Sequence, residues 1–167
     1  SSVNMSSSLF GALFCDDCMG SMIYSKPRKL NALSTYSRHI GQLKNDGGSI
    51  GISLFFAIQS FKCKVGGLTP TIKNQATNLI LFKTKDEKEL MDVAESCGGE
   101  VDKETFIKVY NEAIDNGGDH PFLFIDLHPK KEHLSPFRKK FNEFIIVDEL
   151  NKKTENVKNN EIKTEWG

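Results

Sequence analysis

Leu9-Phe10-Gly11-Ala12-Leu13-Phe14-Cys15-Asp16-Asp17 is a run of apolar or small residues that ends on a thiol and two adjacent carboxylates. A short run without polar alternation reads as a strand buried on both faces, the pattern of a parallel sheet covered by helices. Some forty residues on, Ile52 to Ile58 makes a second apolar run, and it ends in Gln59. In open α/β sheets ligands collect beyond the carboxyl ends of the strands. Two such strands would therefore bring a carboxylate pair and an amide to one rim, half of a nucleotide-hydrolysis site. The other half, a G-x-x-x-x-G-K-[ST] loop whose backbone amides cradle phosphate, occurs nowhere in the 167 residues. Gly47-Gly48 and Gly66-Gly67 begin no such pattern.

Working outward, polar Ser1 to Ser8 reads as a ragged lead-in. Pro27 stands where a helix would start, and Leu30, Leu33, Tyr36, Ile40 and Leu43 follow at spacings of three and four. Asp46-Gly47-Gly48-Ser49 ends that helix, and the segment Met19 to Lys26 before it reads as a loop. Thr69-Pro70 is a helix start, a hydroxyl cap followed by proline in the first turn. Asn78 to Lys83 is a further strand. Asp86 opens a helix with Leu90, Val93, Ala94 and Cys97 on one face, and Gly98-Gly99 stops it. Asp102 opens the clearest helix, with Phe106, Val109, Tyr110, Ala113 and Ile114 inward. Phe122 to Ile125, closed by Asp126, and Phe144 to Val147 read as strands, and Ser135-Pro136 as the cap of a short basic helix. From Glu149 almost nothing is apolar, so 149–167 reads as a disordered tail. Strands alternating with amphipathic helices predict an α/β fold with a mainly parallel sheet, one domain over 9–148.

Composition bounds the function. Lys plus Arg and Asp plus Glu are both 22, so the overall basic excess of a nucleic-acid-coating protein is absent. A local one remains between His128 and His133 and beyond, in Lys130, Lys131, Arg138, Lys139 and Lys140, as candidate DNA contacts. His128, His133 and Asp126 match no strong metal spacing and read as a solvated loop. The four cysteines, Cys15-x-x-Cys18 among them, have no second pair at zinc-finger spacing and read as reduced thiols in an intracellular setting. No run approaches the roughly 18 apolar residues of a membrane span.

The stretch from Leu43 to Ser60, with its Gly-rich turn, apolar strand and Gln59, resembles the segment of FtsK/HerA-type DNA-pumping ATPases that runs from a helix into the sensor strand. Leu68 to Gln75 followed by Asn78 to Lys83 is similar to their next helix and strand. Cys97-Gly98-Gly99-Glu100-Val101 and Phe122 to His128 look like the branch that packages the genomes of large double-stranded DNA viruses, virophages and polinton-like elements. The resemblance spans roughly residues 9–147. It implies the C-terminal half of a RecA-like P-loop core, with the phosphate loop upstream and ATP binding weak or absent in this chain alone. It makes Asp16 the Walker B magnesium residue, Asp17 the catalytic carboxylate and Gln59 the sensor. It implies ATP and Mg2+ as cofactors, and as partners double-stranded DNA, further copies in a ring and a viral capsid vertex. Its place would be the host cytoplasm or nucleus, at viral assembly sites. The family often carries an arginine in the turn that reads Asp46-Gly47-Gly48-Ser49 here, so Arg38 and Lys73 are the substitutes for a residue acting in trans. The rival expectation is a non-enzymatic α/β interaction module or capsid-associated subunit.

Overall fold

The structure is a computed structural model, and it describes residues 11–40, 51–63, 67–96, 101–130 and 133–152. The chain divides into two compact units, Ser1–Gln75 and Ala76–Gly167.

The first unit is built on one parallel pair. Strand β1 (Gly11–Cys15) lies beside β2 (Ile52–Phe56), in register from Gly11 opposite Ile52 to Cys15 opposite Phe56. A short helix α1 (Met22–Ser25) forms where a loop is expected, followed by α2 (Arg28–Tyr36) and a 3-10 turn at Ser37–His39. Gly51 enters β2 at φ 68, a conformation that side chains resist, and its N–H donates to the Ile40 carbonyl at 2.9 Å. Helix α3 (Pro70–Asn74) starts as expected, with the Thr69 hydroxyl accepting from the Ile72 N–H at 3.4 Å. The same hydroxyl donates to Asn31 Oδ1 at 2.6 Å and ties α3 to α2. Tyr24, Leu30 and Ile72 form the small core, with Cys18, Met19, Phe56 and Leu68 packed against it. Of the expected stripe on α2, Leu30 is buried, whereas Tyr36 is exposed and Leu43 lies outside the described residues.

Neither strand of this pair is buried on both faces. Phe14 and Phe55 stand opposite each other, stacked at 4.5 Å, and remain 69% and 47% exposed. The covered face is the one carrying Cys15 and Phe56. A continuous apolar run does not say how many of its faces the rest of the chain will cover.

The second unit is a four-stranded antiparallel sheet in the order β3 (Asn78–Phe82), β4 (Phe122–Asp126), β5 (Phe137–Lys139), β6 (Glu143–Phe144). This overturns the expected mainly parallel, RecA-like sheet: the only parallel ladder among the described residues is β1–β2. Between β3 and β4 the chain forms α4 (Glu87–Ser96) and α5 (Lys103–Asp115), which pack on each other, and α5 packs on β4 and β5. The sheet is assembled under α5 from antiparallel neighbours, with Asn78 opposite Asp126, and not from single-helix parallel crossovers.

Helix α5 follows the expected periodicity throughout. Phe106, Val109, Tyr110, Ala113 and Ile114 are all buried, and α5 packs on β4 and β5. Leu90, Val93 and Ala94 of α4 are buried as well, while Cys97 to Glu100 lie outside the described residues. Leu123, Ile125 and Phe137 fill the sheet face beneath α5, with Phe137 edge-on to Phe106 at 6.3 Å. That contact explains why the expected basic helix after Ser135-Pro136 is instead strand β5. The Ser135 hydroxyl does accept from the Phe137 N–H at 3.1 Å, but pairing with Leu123–Ile125 then sends Phe137 into the core. The last paired stretch is Glu143–Phe144 and not Phe144 to Val147, and residues 147–152 are helical. The remainder of the expected tail, 153–167, and the lead-in 1–8 lie outside the described residues. No helix among the described residues is long and apolar enough to cross a membrane.

Candidate functional site

The parallel pair brings both of its polar strand ends to one rim. The Ala57 N–H donates to the Cys15 carbonyl at 3.0 Å, which continues the ladder one step past the strands. Beyond it the chain of β1 turns sharply. Asp17 adopts φ 47, a left-handed conformation rare outside glycine but tolerated best by Asp and Asn. Gly20 follows at φ 77. In this turn the Cys18 thiol donates to the Asp16 carbonyl at 3.1 Å, and the Ser21 N–H donates to the Cys18 carbonyl at 3.1 Å. Cys18 and Met19 reach down onto the Tyr24, Leu30 and Ile72 core, which leaves Asp16 and Asp17 exposed above.

Two bonds then fix Gln59 over the turn. Its side-chain amide donates to Asp17 Oδ1 at 3.2 Å, and its backbone N–H donates to the Met19 sulfur at 3.2 Å. Residues 42 apart in sequence are thereby joined at the carboxyl ends of adjacent strands. Met19 has no signal in the sequence that would assign it this part. Only the approach of the two loops gives a thioether something to accept.

Beneath the rim lie a buried thiol and a buried phenol, Cys15 and Tyr24. Burial pushes the Cys15 thiol above its ordinary range, and Cys18 beside it adds to the effect. The Tyr24 hydroxyl is pushed up to about 12, chiefly by burial and further by Cys15 and Cys18. This hydroxyl is buried without a hydrogen-bond partner. Cys15 is buried, while Cys18 and Cys63 are partly exposed thiols. Cys97 falls outside the described residues.

The other sequence candidates lie elsewhere. Arg38 is on the 3-10 turn, beside Gly51 at the amino end of β2. Five strand residues, about 17 Å at the usual rise, separate that end from the Gln59 rim. Arg38 is not brought to the acids. Lys73 on α3 donates from Nζ to the Phe61 carbonyl and lies 4.5 Å over the Phe61 ring, so it braces the loop after Gln59.

In the second unit the basic candidates separate. Lys139 Nζ is held by Glu143 at 2.6 Å and Glu112 at 3.5 Å. The Glu143 hydrogen bond is the main cause of its raised pKa. Arg138 points to the opposite face, its guanidinium 4.6 Å over Phe144 and 5.3 Å over Phe124. It also lies 3.9 Å from Asp126 Oδ2 and 3.5 Å from His133 Nδ1. His133 is itself 3.4 Å from the same carboxylate oxygen. The expected solvated loop therefore holds one half-buried histidine in a polar cluster, while His128 and Lys130 are exposed. Lys140 sits at φ 53 in the turn between β5 and β6, and Lys131 lies outside the described residues.

Chemically, the rim offers hard carboxylate oxygens and one oriented amide. No group of three or more His, Cys, Asp or Glu side chains stands ready for a metal among the described residues. One or two carboxylates suit magnesium, which keeps its waters and takes its remaining ligands from phosphate. The chain matches no protein-family model, no curated protein and no solved structure.

Proposed function

We propose that this chain supplies the carboxylate and sensor part of an ATP-driven DNA translocase that packages viral double-stranded DNA. The observation that carries the reading is the bond from Gln59 to Asp17 at the carboxyl ends of two adjacent parallel strands. Asp16 would hold Mg2+, and Asp17 would orient and deprotonate the attacking water. Gln59, tethered to Asp17, would sense the terminal phosphate. Magnesium, when bound, offsets the phosphate charge that builds up during transfer. Phosphates also need a backbone cradle, and no described residue belongs to such a loop. Turnover therefore requires a polypeptide that provides one. In the working machine this chain would take part in a ring at a viral capsid vertex, in the host cytoplasm or nucleus.

The test is phosphate release from magnesium-ATP by the chain mixed with a segment bearing a G-x-x-x-x-G-K-[ST] loop from a related packaging ATPase. Turnover that Asp17→Asn abolishes supports the proposal. Turnover indifferent to Asp17→Asn, or none with any such segment, rejects it.

A second reading, a non-enzymatic interaction module, is favoured by the stacked and exposed Phe14 and Phe55 on the open face of the parallel pair. Exposed apolar patches of this kind mark association surfaces. It gains the argument if the mixture binds without hydrolysing and Phe14→Ser ends the binding.

A further inference from the structure

The turn after β1 carries two thiols, and both face one small core. Successive strand residues alternate between faces, so with Phe14 on the open side Cys15 takes the covered one, beside its cross-strand partner Phe56. Phe56 and Cys18 both pack on the cluster of Tyr24, Leu30 and Ile72. Between the two cysteines the chain bends through Asp17 at φ 47, and the second thiol returns to the core that the first one faces. The same core holds a phenol without a partner. Tyr24 is 3% exposed, its hydroxyl is buried and makes no hydrogen bond, and both Cys15 and Cys18 act on it electrostatically. The Ser21 hydroxyl, in the same turn, is also buried and unpartnered.

We propose that Cys15 and Cys18 form a binding site for a soft monovalent cation, Cu(I), with Tyr24 as hydrogen-bond donor to the thiolates. A buried donor left unpaired is costly, and a neutral thiol is a weak acceptor. A thiolate is a charged and far better one. The Tyr24 hydroxyl therefore suits a charge that the metal-free protein does not carry. Binding exchanges protons for metal: two S–H bonds break, two S–Cu bonds form, two protons leave to solvent, and copper stays in the +1 state. Two thiolates around one monovalent cation leave one net negative charge in a buried place, and the phenol O–H stabilises it as an outer-shell donor.

The ligand set says which metal. Thiolates select soft ions. A structural Zn2+ takes four protein ligands, and no group of three or more His, Cys, Asp or Glu stands together among the described residues. Two sulfurs suffice for Cu(I), which is content with two-coordinate geometry. Met19 is not counted as a ligand, since its sulfur already accepts from the Gln59 N–H at 3.2 Å. The exposed carboxylates above are hard donors suited to Mg2+, so the two ions do not compete and the thiol site stands apart from any role in hydrolysis.

The experiment is an anaerobic Cu(I) titration of the full chain carrying Cys63→Ser and Cys97→Ser, which removes the other two thiols. The ultraviolet thiolate-to-copper band reports binding, with bicinchoninate as competing chelator. One Cu(I) should bind per chain, and X-ray absorption should count two sulfur neighbours. Cys18→Ser, at a partly exposed position, should end binding and keep the circular dichroism of the parent. Tyr24→Phe should weaken Cu(I) binding about tenfold, the low end of the cost of losing an outer-shell partner. Its melting temperature without metal should equal or exceed the parent's, whereas a merely structural tyrosine would lower the melting temperature and leave the affinity alone. The proposal is overturned if the chain takes up no Cu(I), if Cys18→Ser binds it as tightly as the parent, or if Zn2+ binds as tightly as Cu(I). It is also overturned if Tyr24→Phe matches the parent's affinity, since the phenol would then play no part.

Discussion

Gln59 Nε2 lies 3.2 Å from Asp17 Oδ1, so an amide at the end of one strand holds a carboxylate at the end of its neighbour. The contact can be tested without assuming any reaction. Gln59→Glu would place a second carboxylate against Asp17. Two like charges at that range repel unless a cation or a proton joins them. The variant should bind Mn2+, a magnesium surrogate, several-fold more tightly than the parent in a calorimetric titration. Affinity unchanged from the parent would mean that the two side chains do not meet in solution.

Tyr24 carries a buried hydroxyl with no partner. An unsatisfied buried polar group costs about 1–3 kcal/mol, so Tyr24→Phe should be neutral or stabilising, by about 1 kcal/mol. Its pKa gives a second readout. The folded value of about 12 lies above the ordinary 10.0, so folding favours the protonated phenol. That contribution is complete below pH 10 and is lost as pH rises toward 12. Thermal melts of the parent should fall over this alkaline window more steeply than those of Tyr24→Phe. Parallel pH profiles would contradict the burial of this hydroxyl.

Asp102 caps α5. Its carboxylate accepts from the Thr105 hydroxyl at 2.7 Å and from the Thr105 N–H at 3.0 Å. The hydroxyl bond is the larger cause of a pKa held below the ordinary 3.8. A lowered carboxylate pKa stabilises the fold above the ordinary value, and the gain disappears as pH falls through the folded one. Asp102→Ala should therefore lower the melting temperature at neutral pH, with the gap to the parent closing below about pH 4. A gap that is the same at pH 7 and pH 3 would contradict a charged cap.

Phe106 is fully buried between α5 and the sheet, edge-on to Phe137. Phe106→Ala should cost about 3–5 kcal/mol, the range for an aromatic side chain removed from a packed core. Urea unfolding followed by circular dichroism measures it. A loss under about 1 kcal/mol would mean that α5 does not pack on this sheet as described.

Local chemistry was legible in the residues themselves. The caps at Thr69 and Asp102 are side-chain events that need only the next three residues, and both are present. The apolar spacing of α5 selected five inward residues, and all five are buried, because a helix fixes which residues share a face. Strand partners were harder to read. The three residues of β5 have too little length to alternate, and their neighbours Ser135-Pro136 carry a helix-start signal. Burial of Phe137 against Phe106, a contact between distant segments, decided the outcome.

The sequence by itself determined the caps that open α3 and α5, the inward face of α5, and that two acids and an amide follow the strands β1 and β2. Tertiary structure alone decided which strands pair and in which direction, since the two helices between β3 and β4 are readable in the sequence but the strand partners are not. It alone decided that Phe14 and Phe55 of one sheet and Phe82 of the other stay exposed, since apolarity states a need for cover and not its source. It alone joined Asp17, Gln59 and Met19, because hydrogen bonds act over about 3 Å of space and take no account of 42 residues of chain.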